Sequence, residues 1–140
     1  MKAYSQFHDG VLEGIWIDDE MVHVFVRTVE KARFTVVVTG VAMLTAGIFK
    51  EGNIILEVLT RDGKEITSED IDELYDLQSG PAGADQASRL LSEARQRDLT
   101  ILEISPSYGA SCVVLARSVD LLTRDQWALR YAVCTVNRNE

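Results

Sequence analysis

"FTVVVTGVAMLTAGIF", residues 34–49, decides the fold. It is the longest uncharged run in the chain, yet it is shorter than the roughly 20 apolar residues a membrane-spanning helix needs. It also carries three Thr and two Gly. β-Branched residues stand at odd and even positions alike in its first half, "FTVVVTGV", which predicts a central strand covered on both faces. Gly40 predicts a bulge or bend in that strand.

Upstream, "MVHVFVRTV" (residues 21–29) alternates, with Val22, Val24 and Val26 on one face and His23, Phe25 and Arg27 on the other. Residues 11–17, "VLEGIWI", read as a strand before it, and the turns "DDE" (18–20) and "EKA" (30–32) separate the three. Downstream, the turn "EGN" (51–53) leads into a fourth strand, "IILEVLT". Short connections and a period of two predict an antiparallel meander.

The pattern then changes. "TSEDIDELYDL" predicts a helix capped by Ser68, with Ile71, Leu74 and Tyr75 at helical spacing. "SGPAG" (79–83) breaks it. A second helix is expected over residues 84–97, with Ala87, Leu90, Leu91 and Ala94 as its apolar stripe. Strands return at "LTILEIS" from Leu99, "SCVVLARSV" from Ser111 and "ALRYAVCTV" from Ala128, the first two separated by the turn "SPSYGA". The expected fold class is α+β: one domain over residues 1–140, a mainly antiparallel curved sheet of about seven strands in the order ββββ-αα-βββ, and two helices packed on it.

Charge narrows the function. The chain has 22 acidic against 14 basic residues, net −8. Nucleic acid and anionic membrane surfaces are therefore not expected partners, whereas a basic protein is. "MKAYSQFHDG" has no apolar segment of the signal-peptide kind. With two cysteines, Cys112 and Cys134, the expectation is a cytoplasmic protein with free thiols. A Cys112–Cys134 disulfide would need their strands to align.

Few residue sets could carry chemistry. "FHDG" places His8 beside Asp9, and His23 is the only other histidine. A turn into the first strand is the favoured reading. A ligand-binding or catalytic site around His8, Asp9 and His23 is the alternative. No metal site is expected, because no ligand set of recognised spacing occurs, and no cofactor is implied. Cys112 opens a strand in the alternation Cys112, Val114, Ala116, so burial is favoured over a nucleophilic role. The loop "SGPAGAD" lacks the lysine and glycine spacing of a phosphate loop and reads as a linker. Trp16 and Trp127 read as sheet-packing residues.

The most informative feature is a charge run. Between Lys64 and Arg89 there is no basic residue, but there are Glu65, Glu69, Asp70, Asp72, Glu73, Asp76 and Asp85. First-turn acids suit the helix dipole, and a solvated face is the plain reading. Its functional counterpart is a docking face for a basic protein built from Glu69, Asp70, Asp72, Glu73 and Asp76.

"FHDGVLEGIWIDDEMVHVFV" followed by "FTVVVTGVAML" resembles the opening of small bacterial proteins of uncharacterised function that begin with an FHDG-type motif, some immunity-protein-like families that neutralise toxins among them. The likeness covers about a third of the chain and rests on His8, Asp9, Gly40 and Val41. It implies a bacterial binding protein and carries over no catalytic residue. With no complete catalytic set, the sequence leans away from an enzyme. It points to a protein-binding module, with a small ligand-binding protein or a homo-oligomer joined through sheet edges as the other readings.

Overall fold

Alternating valines close a sheet around themselves. In the computed structural model, which describes residues 1–132 (the side chain of Ala132 excepted), six long strands follow a two-residue one. They are β1 (Lys2–Ala3), β2 (Val11–Asp18), β3 (Met21–Arg27), β4 (Arg33–Gly47), β5 (Ile54–Arg61), β6 (Thr100–Tyr108) and β7 (Ser111–Thr123). Helices α1 (Ser68–Tyr75) and α2 (Pro81–Gln96) lie between β5 and β6, and a short α3 (Arg124–Trp127) follows β7. The fold is α+β with an antiparallel sheet, as the pattern predicts, but the order is five strands, two helices, two strands and a short third helix rather than ββββ-αα-βββ, because residues 2–3 add a strand at the start and the one expected from Ala128 does not form over the described residues.

The sheet order is β1-β5-β2-β3-β4-β7-β6, and β5 also pairs with β6. The six long strands therefore form a closed ring. Its narrowest seam is β2 against β5, where Val11 faces Ile54. There Ile55 N–H donates to Gly10 O and Leu12 N–H donates to Asn53 O, each at 2.9 Å. Closure pairs β2 with β5 at this one position, so among the described residues most of the β2 edge has no strand beside it.

Inward-facing side chains fill the ring. Val22, Val24 and Val26 of β3 meet Val36 and Val38 of β4, Cys112, Val114 and Ala116 of β7, and Leu102 and Ile104 of β6. Phe7 is fully buried among them and meets Phe34 edge-on at 5.4 Å. β4 bends where expected: Gly40 has φ +67°, and the pairing with β7 shifts between Val41 and Met43. Beyond the shift Met43 turns to the outer wall. There Ile101, Val113 and Leu115 pack against Ile71 and Leu74 of α1 and Ala87 and Ala94 of α2.

Three boundaries depart from the sequence pattern. Thr67, not Ser68, caps α1, in a reciprocal box with Asp70. α2 starts at Pro81, because the first helical position suits a residue with fixed φ and no N–H. The strand expected from Ala128 is replaced, as far as it is described, by a π-helical turn, Ala128–Ala132. Thr123 and Gln126 cap one another and turn the chain out of β7 into helix. Trp127 and Tyr131 lay their rings against His23 on the barrel wall. Cys134 and the rest of that segment lie outside the described residues. Among the described residues no helix is long and apolar enough to cross a membrane.

Candidate functional site

Helix α1 sorts its carboxylates into two groups. Ile71 and Leu74 must face the barrel to be buried, and that rotation aims Glu69, Asp72, Glu73 and Asp76 at solvent. Asp70 turns the other way. It accepts from both Arg61 Nη1 and Nη2 at 2.7 Å, while Arg61 Nη2 also donates to Glu103 at 3.0 Å. Burial pushes Asp70 up, but hydrogen bonds from Arg61 and Thr67 and the Arg61 charge outweigh it and hold the carboxyl below its ordinary range.

Arg61 and Glu103 belong to facing strands. Arg61 pairs with Ile101 and Leu59 pairs with Glu103, so the two charges are diagonal neighbours on the outer wall. Between this wall and α1 lies a cavity of about 170 Å³. Its polar lining comprises Arg61, Asp70, Glu73, Glu103, Thr45 and Ser111, over a floor that includes Leu74, Ile101 and Val113. Three carboxylates against one guanidinium give the lining a formal charge of −2.

Two cations at the end of α2 are engaged elsewhere. Arg95 donates to the carbonyls of Gly63 and Ile66, at 3.2 and 3.1 Å, and Arg97 lies 3.4 Å from Glu93. The outward carboxylates of α1 face water.

No family model, curated protein or solved structure matches the chain.

The other sequence candidates are dispersed. His8 Nδ1 bonds Leu56 O at 2.8 Å, and Nε2 stands 3.6 Å from Asp9. Asp9 has φ +61°, and Gly10 N–H donates back to Phe7 O at 2.9 Å. A Cβ on Gly10 would run into the carbonyl of Arg27. FHDG is thus the turn that brings the chain into β2. His8 lines an open groove with Tyr4, Ser5, Leu56 and Glu57. His23 lies on another part of the barrel, fully buried, with its ring on Trp16 and under Trp127. Neither Asp9 nor His23 lines the groove of His8.

Cys112 lies inside the barrel, and burial pushes its thiol up to about 12. Among the described residues no group of three or more His, Cys, Asp or Glu is placed to hold a metal ion. Of the cavity lining, Asp70 and Glu73 stood among the sequence candidates, whereas Arg61, Glu103, Thr45 and Ser111 did not. A charge at the end of one apolar strand, Arg61 in "ILEVLTR", and one within another, Glu103 in "ILEIS", were the available signal, and they gain meaning only once the register is known.

Proposed function

We propose that this chain is a non-enzymatic protein-binding module that takes a basic partner on the outward face of α1. One observation carries the reading: Glu69, Asp72, Glu73 and Asp76 are exposed along α1 and at its C-cap, while Arg61, Arg95 and Arg97 are turned to other acceptors. Like charges left unneutralised on one helix cost a few tenths of a kcal/mol per pair, and a cationic surface would relieve that cost. Glu73 also borders the cavity beside Arg61 and Glu103, which offers a partner's lysine or arginine a negatively charged recess with an apolar floor. Asp70 serves this face indirectly, by anchoring α1 to the barrel.

The resemblance of the chain's opening to immunity-protein-like families, together with its net charge of −8, favours a toxin-neutralising role for this bacterial, cytoplasmic module. The test is affinity capture from native lysate at low and high salt, with a variant in which Glu69, Asp72, Glu73 and Asp76 are all changed to Lys. A basic protein held by the wild type, and lost with salt or with the variant, supports the reading. A partner held equally by the charge-reversed variant overturns it.

A further inference from the structure

His23 is the one buried histidine among the described residues, and its surroundings accept only its neutral form. The indole Nε1–H of Trp127 donates to His23 Nδ1 at 3.0 Å. That bond requires Nδ1 to be unprotonated, so the ring hydrogen sits on Nε2. Nε2 is buried and has no hydrogen-bond partner among the described residues. Trp16 stacks on the ring at 4.6 Å, and Tyr131 meets it edge-on at 4.9 Å. A second proton would therefore set two N–H groups against each other at Nδ1 and leave a charged donor without a partner at Nε2.

The segment that closes over His23 is well placed to move. Its root is pinned: Arg124 donates to Thr35 Oγ1 and Phe34 O at 3.2 Å each and to Glu13 at 3.3 Å. Beyond that root, Trp127 rests on the wall through its bond to His23 and its edge-on contact with Phe25 at 5.1 Å. The barrel interior is a separate cluster on the opposite face of the strands, so it does not depend on this segment.

We propose that residues 127–132 form a proton-operated strap, closed over the Trp16–His23 face while His23 is neutral and released from the barrel wall when His23 is protonated. Arg124 is the pivot. The ionisable groups facing His23 are Asp18 at the end of β2, whose charge favours the proton, and the Tyr131 phenol on the strap. On β4, Val37 stands opposite His23 and contributes no charge. Burial is the larger influence and lowers the histidine below its ordinary 6.5, with Asp18 opposing. The closed state is therefore at full strength above pH 6.5 and weakens as the pH falls from there toward the lowered value. Within that window the opening equilibrium rises by up to about tenfold per pH unit.

The test is hydrogen exchange of the strap in the full chain from about pH 8 to about pH 5, corrected for the intrinsic pH dependence of exchange, with far-UV circular dichroism alongside. His8→Ala removes the other histidine and is expected to retain the transition. His23→Asn places an amide oxygen where Nδ1 stood, so it can still accept from Trp127 but cannot titrate, and it is expected to keep the strap protected throughout. Should that variant misfold, a wild-type ring titration of His23 coinciding with strap opening carries the same information. Constant protection in wild type, a transition persisting in folded His23→Asn, or loss of sheet signal together with strap protection each overturns the proposal.

Discussion

Arg61 holds Asp70 by two parallel hydrogen bonds of 2.7 Å, and this pair ties helix α1 to the barrel wall. The side chains are only 18% and 16% exposed, so removing one partner strands a charge in poorly hydrated surroundings. Asp70→Ala is expected to cost about 2–3 kcal/mol, beneath the range for a fully buried pair because some water contact remains. Asp72→Ala, one turn face away, is expected to stay within about 0.5 kcal/mol. Because the folded state lowers the Asp70 carboxyl, its contribution is present above the ordinary value of 3.8 and is lost as the pH falls through the lowered one. Denaturant titrations of wild type and Asp70→Asn over acid pH would check this: the stability difference should shrink toward the acid end.

The FHDG turn makes a second prediction, because its residues differ sharply in what they support. His8 contributes a single exposed hydrogen bond to Leu56 O, so His8→Ala should cost less than about 1 kcal/mol. Asp9 already adopts a conformation glycine takes freely, and Asp9→Gly should be neutral within about 0.5 kcal/mol. Gly10→Ala forces a methyl against the carbonyls of Arg27 and Phe7 at the barrel seam and should cost more than about 2 kcal/mol. Thermal melts of the three variants decide it. A His8→Ala loss as large as that of Gly10→Ala would contradict the turn assignment.

What was legible in the sequence follows from the range of the interactions involved. The alternation of Val22, Val24 and Val26 is a local signal of a half-buried strand, and it located β3 without any partner. Gly40 likewise announced its bend. Ring closure was not legible, because it rests on β5 pairing with β6 across the whole helical insertion, and nothing within either strand encodes that partner. The same limit hid the cavity: Arg61 and Glu103 become neighbours only through the register. After Thr123 the apolar alternation resembled a strand. The capping pair Thr123 and Gln126 was the contrary local cue, and it prevailed because Trp127 has a wall to cover.

Cys112 allows a chemical prediction. Its side chain is fully buried inside the barrel, and burial holds the thiol up at about 12, so almost no thiolate exists near neutral pH. In the native chain Cys112 should resist alkylation by iodoacetamide near neutral pH and react readily once denaturant opens the barrel. Peptide mapping after brief labelling reads this position by itself. Rapid native labelling of Cys112 would show that the barrel opens far more often than its packing implies.

Asn53 gives the last prediction, and it concerns how two neighbouring turns of the barrel are joined. Its side chain is buried, and Oδ1 accepts from Lys50 N–H at 2.7 Å and from Ala110 N–H at 3.0 Å. One amide therefore satisfies donors from the β4–β5 turn and the β6–β7 turn. Gly109 is fitted against it: with φ +87°, and with no room for a Cβ beside Asn53, only glycine suits the position. Asn53→Ala leaves two backbone donors without their acceptor and should cost about 2–4 kcal/mol. Gly109→Ala should cost a comparable amount through strain. Because both changes damage the same junction, the double variant should lose less than the sum of the two. Equilibrium unfolding of the four proteins measures that coupling, and strict additivity would mean that the two turns are held independently.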